Sequence, residues 1–294
     1  MLPLLFLGGP CYLTPFEMVC SLLIRFIIWS LVVCFWIYHK LRALRQWVVD
    51  YVLEPIHSVL EPLFHLLPAA FLLSTILALL ISIAIKQGTD VSREEITRFG
   101  YRFMVVALSG TLALLLLSLP LTPLYPELRF DTFFSSSRLT LLLQAVIVAS
   151  SLLILAGSDS YLAENRWRGM EYPIIFGLCA LFLLLLPSAT HLFSFFFCLA
   201  GFSLALFVLI MYDVTHHAAR EAALKYYFLS TFSSGLALFG ISLLVTCANG
   251  AAHYNALFLF FITNPAGNHP IFAVATLLLL AGFFFKLSAA PAHL

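Results

Sequence analysis

Charged side chains are scarce in this sequence. Only 10% of its 294 residues are Asp, Glu, Lys or Arg, against roughly 25% in a typical soluble domain. Hydrophobic residues make up 62%, and the mean hydropathy is +1.03. A water-soluble core cannot hide that much apolar surface, so the composition excludes a soluble globular domain and indicates a protein whose main solvent is lipid. The formal net charge of +1 argues against a nucleic acid partner.

The sequence also lacks the motifs that usually mark cofactor and hydrolytic sites. Its six cysteines lie mostly inside apolar runs, without a CxxC pair or a Cys/His cluster at metal spacing, which favours small buried side chains over ligands or disulfides. No GxGxxG, Walker A, GxSxG or HExxH pattern occurs. The sequence therefore predicts no cofactor and no metal.

Long apolar runs, in contrast, are abundant. A spanning helix needs about 20 mostly apolar residues, and eight windows qualify, although the fifth is short. The prediction is an all-α, polytopic transmembrane helix bundle of about eight spans, with a tight hairpin at residues 187–190 between the fifth and sixth. The windows are Met18–Tyr38, Pro68–Lys86, Arg102–Leu119, Arg138–Gly157, Tyr172–Leu186, His191–Tyr212, Glu221–Cys247 and Pro270–Ala290.

The loops give this bundle an orientation. Loops after the second, fourth and sixth windows, with their flanks, hold seven Lys and Arg residues, and the other loops hold five. The positive-inside rule then predicts that the N-terminus and the loops 87–101 and 213–220 lie on the matrix or cytoplasmic side.

Residues 41–66 differ from the apolar windows. Apolar residues recur there at helical spacing, and Val52–Pro55 and Val59–Pro62 form a short repeat. Each proline is expected to break the helix behind it. We interpret this stretch as an interfacial amphipathic segment, with a partner-docking arm as the alternative. The predicted division is an extension at 1–67, which includes the extra span Met18–Tyr38, and a bundle at 68–294.

Ionisable groups inside apolar runs need a reason, because each costs roughly 2.5–3.5 kcal/mol at the centre of a bilayer. Lys286 follows sixteen uncharged residues and precedes Pro291. A helix broken by proline beside an ammonium group is one way that transporters expose carbonyls and water to a moving charge. The alternative is that Lys286 extends to the interface.

A second group of candidates surrounds the start of the seventh window. Lys225 lies one turn after Glu221, so the two can form an i, i+4 pair, although Lys225 can also reach the interface. Asp213, His216 and His217 could load protons, since histidine titrates near neutral pH. The alternative is a solvated loop with a capping aspartate.

Two stretches carry a resemblance to a known family. The first comprises Glu221–Leu229 and Ser233–Gly235, and the second is Ala281–His293. Together they resemble subunit 2 of respiratory complex I, the antiporter-like subunit called N in bacteria, over about Phe130–Leu294. The second stretch is similar to the family's lysine-proline-histidine signature on a discontinuous helix, formed here by Lys286, Pro291 and His293.

The resemblance implies a proton path through Lys286 and Lys225, with Glu221, Asp213, His216, His217 and His293 as possible accessory groups. It also implies that the second window is the family's first helix, so the bundle holds the first seven family helices and ends in a broken one. Other membrane-arm subunits and membrane lipids are the expected partners, and no redox site is expected in this chain.

Two departures from the family pattern stand out. The family carries a glutamate in its fifth helix that pairs with the lysine of the broken helix, and here the aligned position is Ala200. The sequence also stops at Leu294, where the family continues for about seven more helices. We therefore expect a split subunit whose second half is a separate chain.

The resulting functional prediction is a split membrane-arm subunit of NADH:ubiquinone reductase in the mitochondrial inner membrane, which contributes to proton translocation. Two alternatives stay open. One is a structural subunit whose proton path has degenerated, and the other is a subunit of a cation/proton antiporter complex.

Overall fold

The computed structural model describes residues 54–86, 93–119, 133–135, 137–164, 171–212, 216–263 and 270–286. The chain divides into two compact units, Met1–Ser58 and Val59–Leu294, and nearly all the described residues belong to the second. Every regular element in the described ranges is helical, which confirms the predicted all-α class. The helices are α1 Glu54–Lys86, α2 Arg93–Ser118, α3 Arg138–Glu164, α4 Glu171–Leu185, a 3₁₀ turn Leu186–Ser188, α5 Leu192–Ile210, α6 His217–Cys247, α7 Tyr254–Thr263 and α8 Pro270–Lys286.

Six of these helices, α1 to α6, are long and apolar enough to cross a membrane, and α8 is a shorter apolar helix. They match seven of the eight predicted windows. The first window, Met18–Tyr38, lies outside the described residues, and so do Pro291 and the rest of the predicted helix break.

The short helix α7 lies between the last two predicted windows, where no separate element was predicted. One expectation about helix boundaries is wrong. The prolines were expected to interrupt residues 54–67, but α1 runs from Glu54 without a break across Pro62. Pro55 lies in the first turn of α1, where its missing N–H has no intrahelical partner to lose. At Pro62 one lost backbone bond is tolerated within a helix of 33 residues.

Short turns connect successive helices of the bundle. The predicted hairpin between α4 and α5 is confirmed, with the 3₁₀ turn at its tip and His191 as the N-cap of α5. At the end of α6, Asn249 and Gly250 adopt positive φ values of 54° and 89°, and the Gly250 N–H donates to the Val245 carbonyl at 2.9 Å. This left-handed termination turns the chain back toward α7.

Three loop segments meet at one end of the bundle. Ser135 N–H donates to the Ser188 carbonyl at 2.8 Å, and Thr190 N–H donates to the Phe133 carbonyl at 3.0 Å. The segment that begins at Ser188 also bonds to a third loop, because Leu192 N–H donates to the Ala252 carbonyl at 3.0 Å. These segments follow the third, fifth and seventh predicted windows. The loops that carry fewer Lys and Arg residues therefore lie together at one end of the bundle, held by these hydrogen bonds.

The interior is built from aliphatic side chains of α1 to α4. Leu72, Leu79, Met104, Leu108 and Leu155 have almost no exposed surface. Helices α2 and α3, α4 and α5, and α6 and α8 pack most extensively against each other. This arrangement brings α5, α6 and α8 together around a partly buried polar cluster.

A candidate proton site between three helices

The seam between α6 and α8 is set by two glycines. A Cβ atom on Gly240 would lie 2.6 Å from the Leu279 nitrogen, and one on Gly282 would lie 2.8 Å from the Ser233 carbonyl oxygen. Because both obstacles are backbone atoms, only glycine permits this approach. Small residues at such contacts are the usual means by which helices approach closely in membranes. Lys286 follows Gly282 by one turn, so the seam also positions the lysine.

The Lys286 ammonium bonds inside the bundle. Its Nζ donates to Ser203 Oγ of α5 at 2.8 Å. Ser203 is buried, and its hydroxyl in turn donates to the Leu199 carbonyl at 2.8 Å. At 1.5 Å per residue, Ser203 lies about 16 Å along α5 from Leu192 and about 10 Å from Ile210. The structure thus has the ammonium hydrogen-bonded to a side chain of a neighbouring helix.

Tyr226 of α6 extends the cluster. Its side chain is partly buried and lies near Ser203, Ser230 and Cys179 of α4. The Ser230 carbonyl accepts hydrogen bonds from the Ser233 hydroxyl at 2.9 Å and from the Ser234 hydroxyl at 2.8 Å. The site is therefore a lysine hydrogen-bonded to one serine of α5, with further hydroxyl groups of α6 nearby.

Sequence reasoning missed Ser203 and Tyr226. A signal existed for each, because Ser203 lies one turn from Ala200 on the same face of α5, and Tyr226 lies one turn from Ser230 on α6. The apolar α5 carries no acidic residue. Among the residues that the structure describes, no carboxylate lies within ion-pair distance of Lys286, so its bonded partner is a neutral hydroxyl.

The second predicted group forms a separate, exposed cluster. The predicted i, i+4 pair is confirmed, with Lys225 Nζ at 2.7 Å from Glu221 Oε1. Both side chains are more than half exposed in the isolated chain, and His217 Nδ1 lies 4.0 Å from Glu221 Oε2. Lys225 and Lys286 share no hydrogen-bond or ion-pair partner within the described ranges. The structure therefore gives the two lysines different surroundings.

The remaining candidates lie near helix ends. His216 is the N-cap of α6, where its side chain caps no backbone N–H, and its carbonyl accepts from the Arg220 N–H at 3.3 Å. Asp213, Pro291 and His293 lie outside the described residues.

Comparison with known proteins gives this site a context. Residues 189–294 match the family described as NADH:quinone oxidoreductase/Mrp antiporter, transmembrane. The chain is 32% identical over 186 residues to subunit N of NADH-quinone oxidoreductase from Beijerinckia indica, covering 63% of this chain and 38% of that protein. The subunit N from Granulibacter bethesdensis is 34% identical over 154 residues, which cover 50% of this chain and 32% of that protein. The chain thus spans about a third of the length of these relatives.

Solved structures agree on the fold. A chain of respiratory complex I from Thermus thermophilus with bound aureothin superposes with a TM-score of 0.59 at 23% identity, covering 77% of this chain and 45% of that one. A chain of an archaeal membrane-bound sulfane sulfur reductase superposes with a TM-score of 0.57 at 18% identity, covering 76% and 45%. The resemblance predicted from the sequence, to an antiporter-like subunit N, is confirmed.

Proposed function

We propose that this chain, similar to subunit N over its C-terminal part, is a membrane-arm subunit of a respiratory complex I and contributes to proton translocation coupled to NADH:quinone electron transfer. The observation that carries the proposal is the hydrogen bond from Lys286 to Ser203. An ammonium group at that depth costs several kcal/mol unless it is paired, and its partner here is a neutral hydroxyl. A group held in this way is suited to releasing and regaining a proton as neighbouring charges change.

In this proposal the chain has no redox site of its own, and electron transfer takes place in other subunits. The finer parts of the proposal are a location in the mitochondrial inner membrane and further antiporter-like helices supplied by a second polypeptide. The named relatives are bacterial. Purification of the native complex followed by mass spectrometry tests both parts, through the compartment of origin and the identity of the chains that copurify.

The direct test is Lys286→Met in the assembled complex. Methionine keeps the length and apolar stem of lysine but cannot carry a proton. We expect the proton-to-electron stoichiometry, measured in sealed vesicles, to fall while the complex still assembles. Arg220→Met is the matched control, because Arg220 lies exposed at the start of α6 and its removal should leave the stoichiometry unchanged. Normal stoichiometry in Lys286→Met would refute a proton-carrying role.

A structural subunit with a degenerate proton path is the second candidate. Ala200 at the position of the family's glutamate favours it, and so does the neutral partner of Lys286. This candidate predicts normal assembly and normal stoichiometry in Lys286→Met, so the same experiment separates the two. A cation/proton antiporter complex is a third candidate, consistent with the Mrp antiporters that belong to the matched family. Copurifying flavin and iron–sulfur subunits would exclude it.

A further inference from the structure

We propose that His191 and His253, here called the histidine latch, couple the proton concentration on one side of the membrane to the Lys286 site. In the orientation predicted from the loop charges, the latch faces the side away from the matrix or cytoplasm. The proposal rests on the proposed function, because it names a regulator of the same proton-carrying lysine.

The two histidines cap two helices in the same way. His191 is the N-cap of α5, and its Nδ1 accepts the Phe193 N–H at 3.4 Å. His253 directly precedes α7, and its Nδ1 accepts the Asn255 N–H at 3.3 Å. Both nitrogens of an imidazolium are donors, so only an imidazole whose Nδ1 carries no proton can accept such a bond. Each cap therefore requires a neutral ring.

Backbone hydrogen bonds join the two caps into one unit. The latch residues form an antiparallel bridge, in which Leu192 N–H donates to the Ala252 carbonyl at 3.0 Å and Tyr254 N–H donates to the Thr190 carbonyl at 3.1 Å. A positive charge on one ring repels a positive charge on the other, and each ring lies at the partially positive N-terminus of a helix. Protonation is thus opposed at both rings, and when it occurs it removes a cap.

The surroundings leave the two histidines as the groups that respond near neutral pH. The rings of Phe133 and Phe193 lie 5.1 and 5.6 Å from the ring of His191, which is partly exposed. The described segments that contact the latch, residues 133–135, 188–193 and 250–257, contain no Asp or Glu. Other ionisable groups at this end have ordinary pKa values of about 8.5 or more; they are Arg138, Cys198, Cys247 and Tyr254.

An apolar cluster connects the capped helices to the helix that carries the lysine. Leu192 of α5, Ile241 of α6 and Leu257 of α7 form a buried core, and Leu279 of α8 packs against it. The Leu279 nitrogen is also the backbone atom that a Cβ at Gly240 would approach to 2.6 Å. The lysine and its serine partner lie on α8 and α5, so both helices of that hydrogen bond meet in this cluster. Loss of the caps loosens the first turns of α5 and α7 and weakens the alignment of the lysine with its partner.

The test uses the assembled complex in sealed vesicles. The pH on the latch side is lowered from about 7.5 to about 5.5, across the ordinary histidine pKa of about 6.5, while the other side is held constant. We expect the rate of proton translocation in the parent to fall several-fold. The double variant His191→Asn with His253→Asn keeps side-chain caps that do not titrate, so its rate should fall much less. His191→Asn alone, at the partly exposed position, should show an intermediate effect.

His216→Asn is the matched control, because the His216 side chain caps no backbone N–H of α6. The pH gradient itself opposes translocation in every variant, so this control should show the same fall as the parent. Equal falls in the parent and the double variant would show that the latch is wrong, and the proposed function would stand as long as Lys286→Met lowers the stoichiometry.

Hydrogen exchange tests the latch without reference to translocation. After correction for the intrinsic effect of pH on exchange, the Phe193 and Asn255 amides should lose protection in acid in the parent but keep it in the double variant. Unchanged protection in the parent would overturn the latch. If Lys286→Met has no effect on the stoichiometry, the proposed function fails, and the proposed regulation of the lysine site fails with it.

Discussion

Single residues decide how Lys286 is held. One turn of α5 separates Ala200, the position at which the sequence resemblance predicts a glutamate, from Ser203, which accepts the hydrogen bond of the ammonium. A hydroxyl satisfies the geometry of a donor but does not neutralise its charge. The site therefore keeps a hydrogen-bonded lysine without the opposing charge of an ion pair.

Two histidines, His191 and His253, form a second group of interest at the end of the bundle opposite Lys286. His191 Nδ1 accepts the Phe193 N–H at 3.4 Å, and His253 Nδ1 accepts the Asn255 N–H at 3.3 Å. The two residues face each other across a backbone bridge. Each ring thus receives a hydrogen bond at a helix N-terminus, which a neutral imidazole can do and an imidazolium cannot.

This arrangement predicts that the protein loses stability in mild acid. Loss of solvent around His191, followed by the effect of His253, lowers the pKa of His191 below its ordinary value. The unfolded chain then binds a proton at a higher pH than the folded chain does. Stability is full above about pH 6.5, the ordinary pKa of histidine, and falls as the pH drops below it.

The measurement is the thermal unfolding temperature in detergent between pH 7.5 and 5.5. His191→Asn supplies a cap that does not titrate, so its unfolding temperature should fall less than that of the parent over this pH range. His216→Asn is the control, because the His216 side chain caps no N–H of α6. An equal pH dependence in the parent and in His191→Asn would contradict the prediction.

Among the helices, the contact of α6 with α8 has the strictest geometry. We predict that Gly240→Ala disrupts it, because the new methyl group would lie 2.6 Å from the Leu279 nitrogen and 2.8 Å from the Ala275 carbonyl oxygen. Backbone atoms in a packed helix cannot move aside as side chains do, and forcing extra volume into a packed site costs about 1–3 kcal/mol. The unfolding temperature should drop, and proton translocation should drop with it, because α8 carries Lys286.

Gly235→Ala is the matched control on the same helix. A Cβ atom at Gly235 meets nothing within 4 Å, and alanine in a helix interior is favoured over glycine by about 0.5–1 kcal/mol. This variant should be as stable as the parent or slightly more stable. Similar unfolding temperatures for the two variants would show that the seam is looser than the structure indicates.

For the molecule as a whole, the apolar exterior indicates contact with lipid, and the loop charges predict which end of the bundle faces which side of the membrane. Large apolar side chains along α3, such as Leu139, Val146 and Leu153, are well exposed, as expected for surfaces in contact with lipid or with neighbouring subunits. The positive-inside rule assigns the start of α6 to the matrix or cytoplasmic side and the turn after α6 to the opposite side.

Cysteine labelling with a membrane-impermeant maleimide tests this orientation. His217→Cys should react only from the positive side, and Asn249→Cys only from the other, in sealed vesicles of known polarity. Both positions are exposed. The parent chain is the control for reaction at native cysteines, of which Cys179 and Cys198 are buried. Labelling of both variants from one side would overturn the orientation.

Much of the fold was predictable from the order of the residues, because lipid imposes a simple rule. Each backbone polar group in hydrocarbon must be satisfied within its own segment, so a long apolar run becomes a helix. The windows that became α2 to α6 followed from this rule, as did the hairpin before His191 and the pairing of Lys225 with Glu221, which lies within one helix. Local geometry was sufficient for each of them.

The chemistry of the site depended on contacts between helices that are far apart in sequence. Lys286 and Ser203 are 83 positions apart, and nothing in either apolar run specifies the rotation of one helix against the other. That rotation is set by side-chain packing and by the backbone clash that Gly240 and Gly282 avoid. The apolar runs therefore determined which segments cross the membrane, and only the packing of α5, α6 and α8 decided which hydroxyl group bonds to the lysine.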